Sequence, residues 1–149
     1  MTPLQRVDRA WQSLVQALEA LQPLAQLAAR AYLAQVFFQS GLIKLRDWDS
    51  TLSLFTDYYQ VPLLPPTLAA YLGAGGELVL PVLLLLGLGG RFAALGLSVV
   101  NLMAALSLPE IGEGALLQHI FWGCLLVGLS LWGPGRWSLE RWWPRPAMK

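Results

Sequence analysis

Four apolar stretches dominate the chain: Leu24 to Leu45, Leu68 to Leu88, Phe92 to Leu108, and Ala115 to Trp132. Each is roughly 17 to 22 residues long, the length a helix needs to cross about 30 Å of hydrocarbon at 1.5 Å per residue. Helices around a soluble core would keep a polar face, and these have almost none. Of 149 residues, 56% are hydrophobic and 13% charged, with a mean hydropathy of +0.52, whereas a soluble domain carries about 25% charge. The expected fold is therefore all-α: an integral membrane four-helix antiparallel bundle.

The positions of the charges predict how that bundle sits. Arg6, Arg9 and Arg30 precede or open the first stretch, Arg91 lies between the second and third, and Arg136, Arg141, Arg145 and Lys149 follow the fourth. Only Lys44 and Arg46 fall on the other side, together with Asp47, Asp49, Asp57, Glu110 and Glu113. By the positive-inside bias both termini are expected in the cytoplasm, with residues 46–67 and 109–114 outside. The net charge of +1 gives no reason to expect nucleic acid as a partner.

Outside the apolar stretches two further helices are expected. Leu4, Val7, Trp11, Leu14, Leu18 and Leu21 recur at spacings of 3 and 4, so residues 1–22 read as an amphipathic helix. Asp8, Arg9, Gln12, Gln16 and Glu19 interrupt any apolar core, so this segment is not expected to be a cleavable signal. The helix is expected on the cytoplasmic membrane surface, or as a docking face for another subunit, with Pro23 separating it from a membrane domain over 23–135. In the first outer loop, Trp48, Leu52, Phe55 and Tyr59 form another stripe, which predicts a short interfacial helix over 48–59 capped by Asp47 or Asp49. Residues 136–149 form a basic tail with Trp137, Trp142 and Trp143, suited to the headgroup zone.

Polar groups inside the bilayer are where a function would lie, since an ionised side chain there is costly. Arg30, Phe37, Gly41 and Lys44 share one face of the first stretch; Gly73, Glu77, Leu84 and Arg91 share one face of the second. Gly73 and Gly76 are expected to thin the second helix where Glu77 projects. Asn101 and His119, with Cys124 beside Gly123, come from the last two. A depth count puts Glu77 roughly 8 Å from Arg30 and roughly 12 Å from Lys44, so Arg30 is the expected partner of Glu77. The candidate polar site is Arg30, Lys44, Glu77, Asn101 and His119, with Arg91 a structural or binding residue on the cytoplasmic side. Each also has a plain reading: a packing pair for Arg30 and Glu77, snorkelling for Lys44, an inter-helix hydrogen bond for Asn101.

Several chemistries drop out. One cysteine provides no dithiol, and one histidine provides neither bis-His haem ligation nor a metal set. "GLGGR" after the second stretch lacks the strand, helix and GK[ST] context of a phosphate loop. No catalytic set and no cofactor is assigned.

"RAYLAQVFFQSGLIKLRDW", "AAYLGAGGELVLPVLLLLGLGGRFAAL" and "HIFWGCLLVGLSLWGPGRWSLE" together resemble the DoxX family of small four-helix bacterial membrane proteins. The resemblance covers about residues 24 to 140. It rests most specifically on Arg30, Gly41 and Lys44, and on the E…G…R pattern of Glu77, Gly87 and Arg91. It implies a location in the bacterial inner membrane. It also implies an association with redox systems, since the family is named after a relative of a thiosulfate:quinone oxidoreductase subunit. Two functions are expected from this. One is a non-catalytic anchoring or assembly component of a redox-associated membrane system, meeting protein partners at its cytoplasmic ends. The alternative is a redox subunit binding a quinone-like or small anionic molecule in the polar intramembrane site.

Overall fold

The computed structural model describes residues 3–142, and among them it contains no strand. Five α-helices follow one another: α1 (Pro3–Arg46), α2 (Trp48–Asp57), α3 (Pro66–Leu86), α4 (Gly90–Ser107) and α5 (Glu113–Trp132). A single 3₁₀ turn, Leu139–Arg141, comes after them.

Proline, glycine and aspartate set most of the boundaries. Asp47 caps α2, its carboxylate accepting from the Ser50 amide at 3.0 Å and the Ser50 hydroxyl at 2.6 Å. Pro66 opens α3, where a missing N–H breaks no helical bond. Gly87 closes it in the left-handed conformation, φ 69°, and the Leu88 amide reaches back to the Leu83 carbonyl at 3.0 Å.

Pro23 does not act as a boundary. Instead of two helices separated there, α1 is one helix of 44 residues, about 66 Å long at 1.5 Å per residue. A lone proline removes one intrahelical bond. No turn residue follows Pro23 to exploit the gap, whereas Pro62, Pro65 and Pro66 act together to separate α2 from α3.

α3 runs antiparallel to α1, with Gly41 against Leu78 near one end and Arg30 against the Leu85 carbonyl near the other. α4 turns back along α3, Gly76 facing Val100 and Gly96 facing Leu80. α5 runs antiparallel to α4 and meets α1 through Phe37 and Trp122, ring centroids 5.7 Å apart. Leu33, Phe37, Leu84, Ala93, Ala94, Leu97, Leu126 and Leu129 form the buried core. Its alanines, with Gly41, Gly76 and Gly96 at the helix contacts, bring the backbones close, which is how helices associate where surrounding lipid is as apolar as leucine.

Three helices, α3, α4 and α5, are long and apolar enough to cross a membrane. α1 is outside that set, because Gln26, Arg30, Gln35, Gln39 and Lys44 dilute the apolar stretch Leu24 to Leu45.

α2 packs on the start of α3, with Phe55 among Ala69 and Ala70 and Trp48, Leu52 and Tyr59 around them. The predicted stripe is thus the face that covers this end of the molecule. The helix itself stops at Asp57, two residues short of Tyr59, where the Tyr58 and Tyr59 amides both return to the Leu54 carbonyl. Of the expected tail, Trp143, Arg145 and Lys149 lie outside the described residues.

Candidate functional site

Glu77 is 5% exposed as a whole residue and is held by a cation, but not by Arg30. Lys44 Nζ donates to Glu77 Oε2 at 2.6 Å and to Ser40 Oγ at 3.0 Å. The register of α1 on α3 explains this. A Cβ on Gly41 would stand 2.9 Å from Leu78 Cγ and 3.1 Å from the Glu77 Cβ, so residues 41 and 77 lie at one level and Lys44 is one turn away. Gly41, not Gly73 or Gly76, permits the close approach at Glu77: Gly73 faces Phe55 and Gly76 faces Val100.

Arg30 works at the opposite end. Its guanidinium donates to the Pro134 carbonyl, to the Trp137 carbonyl at 2.7 Å and to the Leu85 carbonyl at 3.2 Å. Its Nε is buried with no hydrogen-bond partner among the described residues. Three carbonyls from two segments tie the chain after α5 to the end of α3. Gly87 is required there, since a Cβ would meet Ser138 at 2.5 Å and Arg30 Nη1 at 2.9 Å. The Gly90 amide at the start of α4 donates to Glu140 Oε2 at 3.4 Å, and Arg91 lies against Gly133. Arg30 and Arg91 therefore belong to this fastening and stand apart from the candidate polar site.

Asn101 and His119 are joined as a pair. The Asn101 Nδ2 donates to the His119 carbonyl at 2.9 Å, which turns its Oδ1 toward His119 Nδ1 at 2.8 Å. In that orientation Nδ1 carries the proton and Nε2 is left as an acceptor. The imidazole also stands edge-on to Trp122, centroids 5.2 Å apart.

Lys44, Glu77 and His119 line one cavity of about 660 Å³ beneath α2, within the range of small-molecule sites. Its wall is mostly apolar: Val36 and Phe37 of α1, Phe55 of α2, Leu72 of α3, Val100 and Met103 of α4, Trp122 of α5. Tyr59 joins the lining from the loop after α2. Burial first, then the charges of Glu77 and Tyr58, push its phenol above the ordinary range, so it stays a donor. Lysine has three N–H donors, and two are used, leaving one uncommitted. The cavity thus offers donors at Lys44 and Tyr59, an acceptor at His119, and an apolar body between them. The sequence places Tyr59 only in the stripe of α2; its place in the cavity wall depends on five segments converging.

A family model described as DoxX matches residues 25–109, more than half of the chain. The chain belongs to the DoxX family. With three helices able to cross a bilayer, this DoxX-family chain is a membrane protein. The matched segment contains Arg30, Lys44, Glu77, Arg91 and Asn101, while His119 lies beyond it. Neither a curated protein nor a solved structure matches the chain. Cys124 is exposed and in no disulfide, and no group of three or more metal-ligating side chains occurs among the described residues.

Proposed function

We propose that this DoxX-family protein is a membrane component of a redox-associated system that holds a quinone-like molecule beneath α2. The single observation that carries this is the Lys44–Glu77 pair in the wall of an apolar cavity. A lysine side chain 21% exposed, with one donor free, suits a carbonyl or anionic oxygen, and the apolar wall suits a ring or short chain. In this reading the residue 24–45 part of α1 crosses the bilayer with α3, α4 and α5 as a four-helix bundle of the bacterial inner membrane. Both termini are cytoplasmic, and the cavity lies toward the outer leaflet, where few basic residues stand. The anchoring or assembly reading is favoured by a different observation, the exposed apolar stripe along the first half of α1.

The test is a titration of purified protein in mild detergent with a short-chain benzoquinone. Trp122 in the cavity wall reports by fluorescence quenching. Saturable quenching is expected, weakened at least tenfold by Lys44→Met, about 1.4 kcal/mol, and unchanged in Arg91→Gln. Sulfate in place of quinone distinguishes a small-anion site. Absence of saturable quenching by the quinone overturns the proposal.

A further inference from the structure

The stripe that begins at Leu4 and recurs every 3 and 4 residues to Leu21 does not stop there. The spacing continues through smaller and more polar residues, Ala25, Ala28, Tyr32, Gln35, Gln39 and Leu42, and every residue on it is exposed. The residues of α1 buried against the other helices, Arg30, Leu33, Ala34, Phe37 and Gly41, are on the opposite side; of the stripe itself, Tyr32 is touched by α5, its hydroxyl accepting from Trp122 Nε1 at 3.1 Å and its ring meeting Phe121. A strict 3.5-residue repeat is the mark of a helix that pairs along its length with another helix.

One of the outward residues makes an unfilled demand. Gln35 is exposed near the middle of the stretch Leu24 to Leu45, in the part of α1 that lies alongside α3, whereas Gln39, one turn on, reaches the rim of the cavity. An amide facing lipid tails has nothing to hydrogen-bond, whereas one facing a neighbouring helix does. We infer that α1 pairs in parallel with α1 of a second copy of this chain, the two stripes forming one seam and the two Gln35 amides bonding across it.

The second copy is favoured over other occupants on four grounds. All copies in one membrane share one orientation, so their α1 helices are parallel and at equal height without further specification. Residues 3–22 carry two arginines, Arg6 and Arg9, against Asp8 and Glu19, so no excess positive charge holds this half on anionic lipid. α1 is unbroken at Pro23, whereas a helix lying on the surface has to turn sharply there. Beside the seam only Asp8 is charged, and in a parallel pair it faces residue 3, so no like charges oppose. From Leu4 to Leu42 the seam is about 57 Å long, and a strip about 10 Å wide buries roughly 600 Å² per copy, above the roughly 1,000 Å² total that a specific interface requires.

This inference rests on the reading that α1 crosses the bilayer, and the experiment separates the two. In a Cys124→Ser background, Leu14→Cys and Gln35→Cys place thiols on the seam, while Gln16→Cys and Val99→Cys place them off it. After oxidation in native membranes, the seam variants are expected to form disulfide dimers at least fivefold more than the others. Gln35→Leu, which retains helix content, is expected to raise the concentration for dimer formation in detergent about tenfold. Labelling of Gln35→Cys by a water-soluble maleimide overturns the spanning reading and the pairing with it. Shielding of that thiol with no cross-link at either seam position overturns the pairing alone. Cross-linking to a different polypeptide overturns the second copy as occupant.

Discussion

Removing Lys44 is expected to harm the protein more than removing Glu77, although the two share one bond. Glu77's side chain is 7% exposed and Lys44's 21%, and the salt bridge between them is 2.6 Å. Lys44→Met leaves a nearly buried carboxylate without its cation, at the low end of the range for breaking a buried pair, about 3 kcal/mol. Glu77→Gln leaves an ammonium that keeps Ser40 and can extend its stem toward the nearby helix end, so about 1 kcal/mol is expected. The double variant has no stranded charge and should resemble Glu77→Gln, giving a coupling of about 3 kcal/mol. Unfolding in mixed detergent micelles, followed by tryptophan fluorescence, measures all three. At roughly 2–4 °C per kcal/mol for a chain of this size, Lys44→Met should lower the midpoint by about 6–12 °C. Additivity within about 0.5 kcal/mol refutes the reasoning. Arg30→Gln combined with Glu77→Gln should be additive, because Arg30 bonds the Leu85 carbonyl, about 12 Å along α3 from Glu77.

Arg30→Lys should fail to rescue Arg30→Gln, since an ammonium cannot span three carbonyls as a guanidinium does; faster hydrogen exchange over 134–138 in both variants measures it. Gly41→Val should separate α1 from α3 and cost about 1–3 kcal/mol, while Gly75→Ala, with open space around it, should be neutral or better in the same unfolding assay. Bonds from the Ser50 hydroxyl and amide hold the Asp47 carboxyl below its ordinary range, so its contribution to α2 is complete above about pH 4 and lost as pH falls through the lower folded value. Trp48 emission should report that loss, and Asp47→Asn should abolish the pH dependence. Thiols introduced at Thr56 and Arg136, both exposed, should label from outside and inside the cell respectively; the reverse refutes the proposed topology.

The apolar runs made the helices legible, because length and composition act locally. Helix pairing was legible only in part. Glu77 was identifiable as a residue that requires a cation, but a depth count assumes that spans start level, and the α1–α3 register is set by Gly41 seated against Leu78. That register raised Lys44 into reach and left Arg30 to the carbonyls of Leu85, Pro134 and Trp137. Asn101 and His119 were each visible as polar residues, while their mutual bond depends on how α4 and α5 face each other. Pro23 misled for a local reason: one missing N–H weakens a helix without ending it.

The covering of the cavity by α2 bears on how a guest is counted. Thr51 fastens α2 to the Lys44 carbonyl at 3.0 Å, and the Gln60 amide fastens the following loop to the Ser107 carbonyl at 2.9 Å, so α2 and its loop are tied across this end of the cavity. Exposed side chains instead rim the flanks: Gln39 and Ile43 on α1, Leu72 on α3, Val99 on α4 and Gln118 on α5. On the proposed reading a guest arrives from among the acyl chains, and its occupancy follows its mole fraction in the lipid and not its aqueous concentration. Two compounds with equal affinity for the pocket but different oil–water partitioning would fill it to very different extents in a cell.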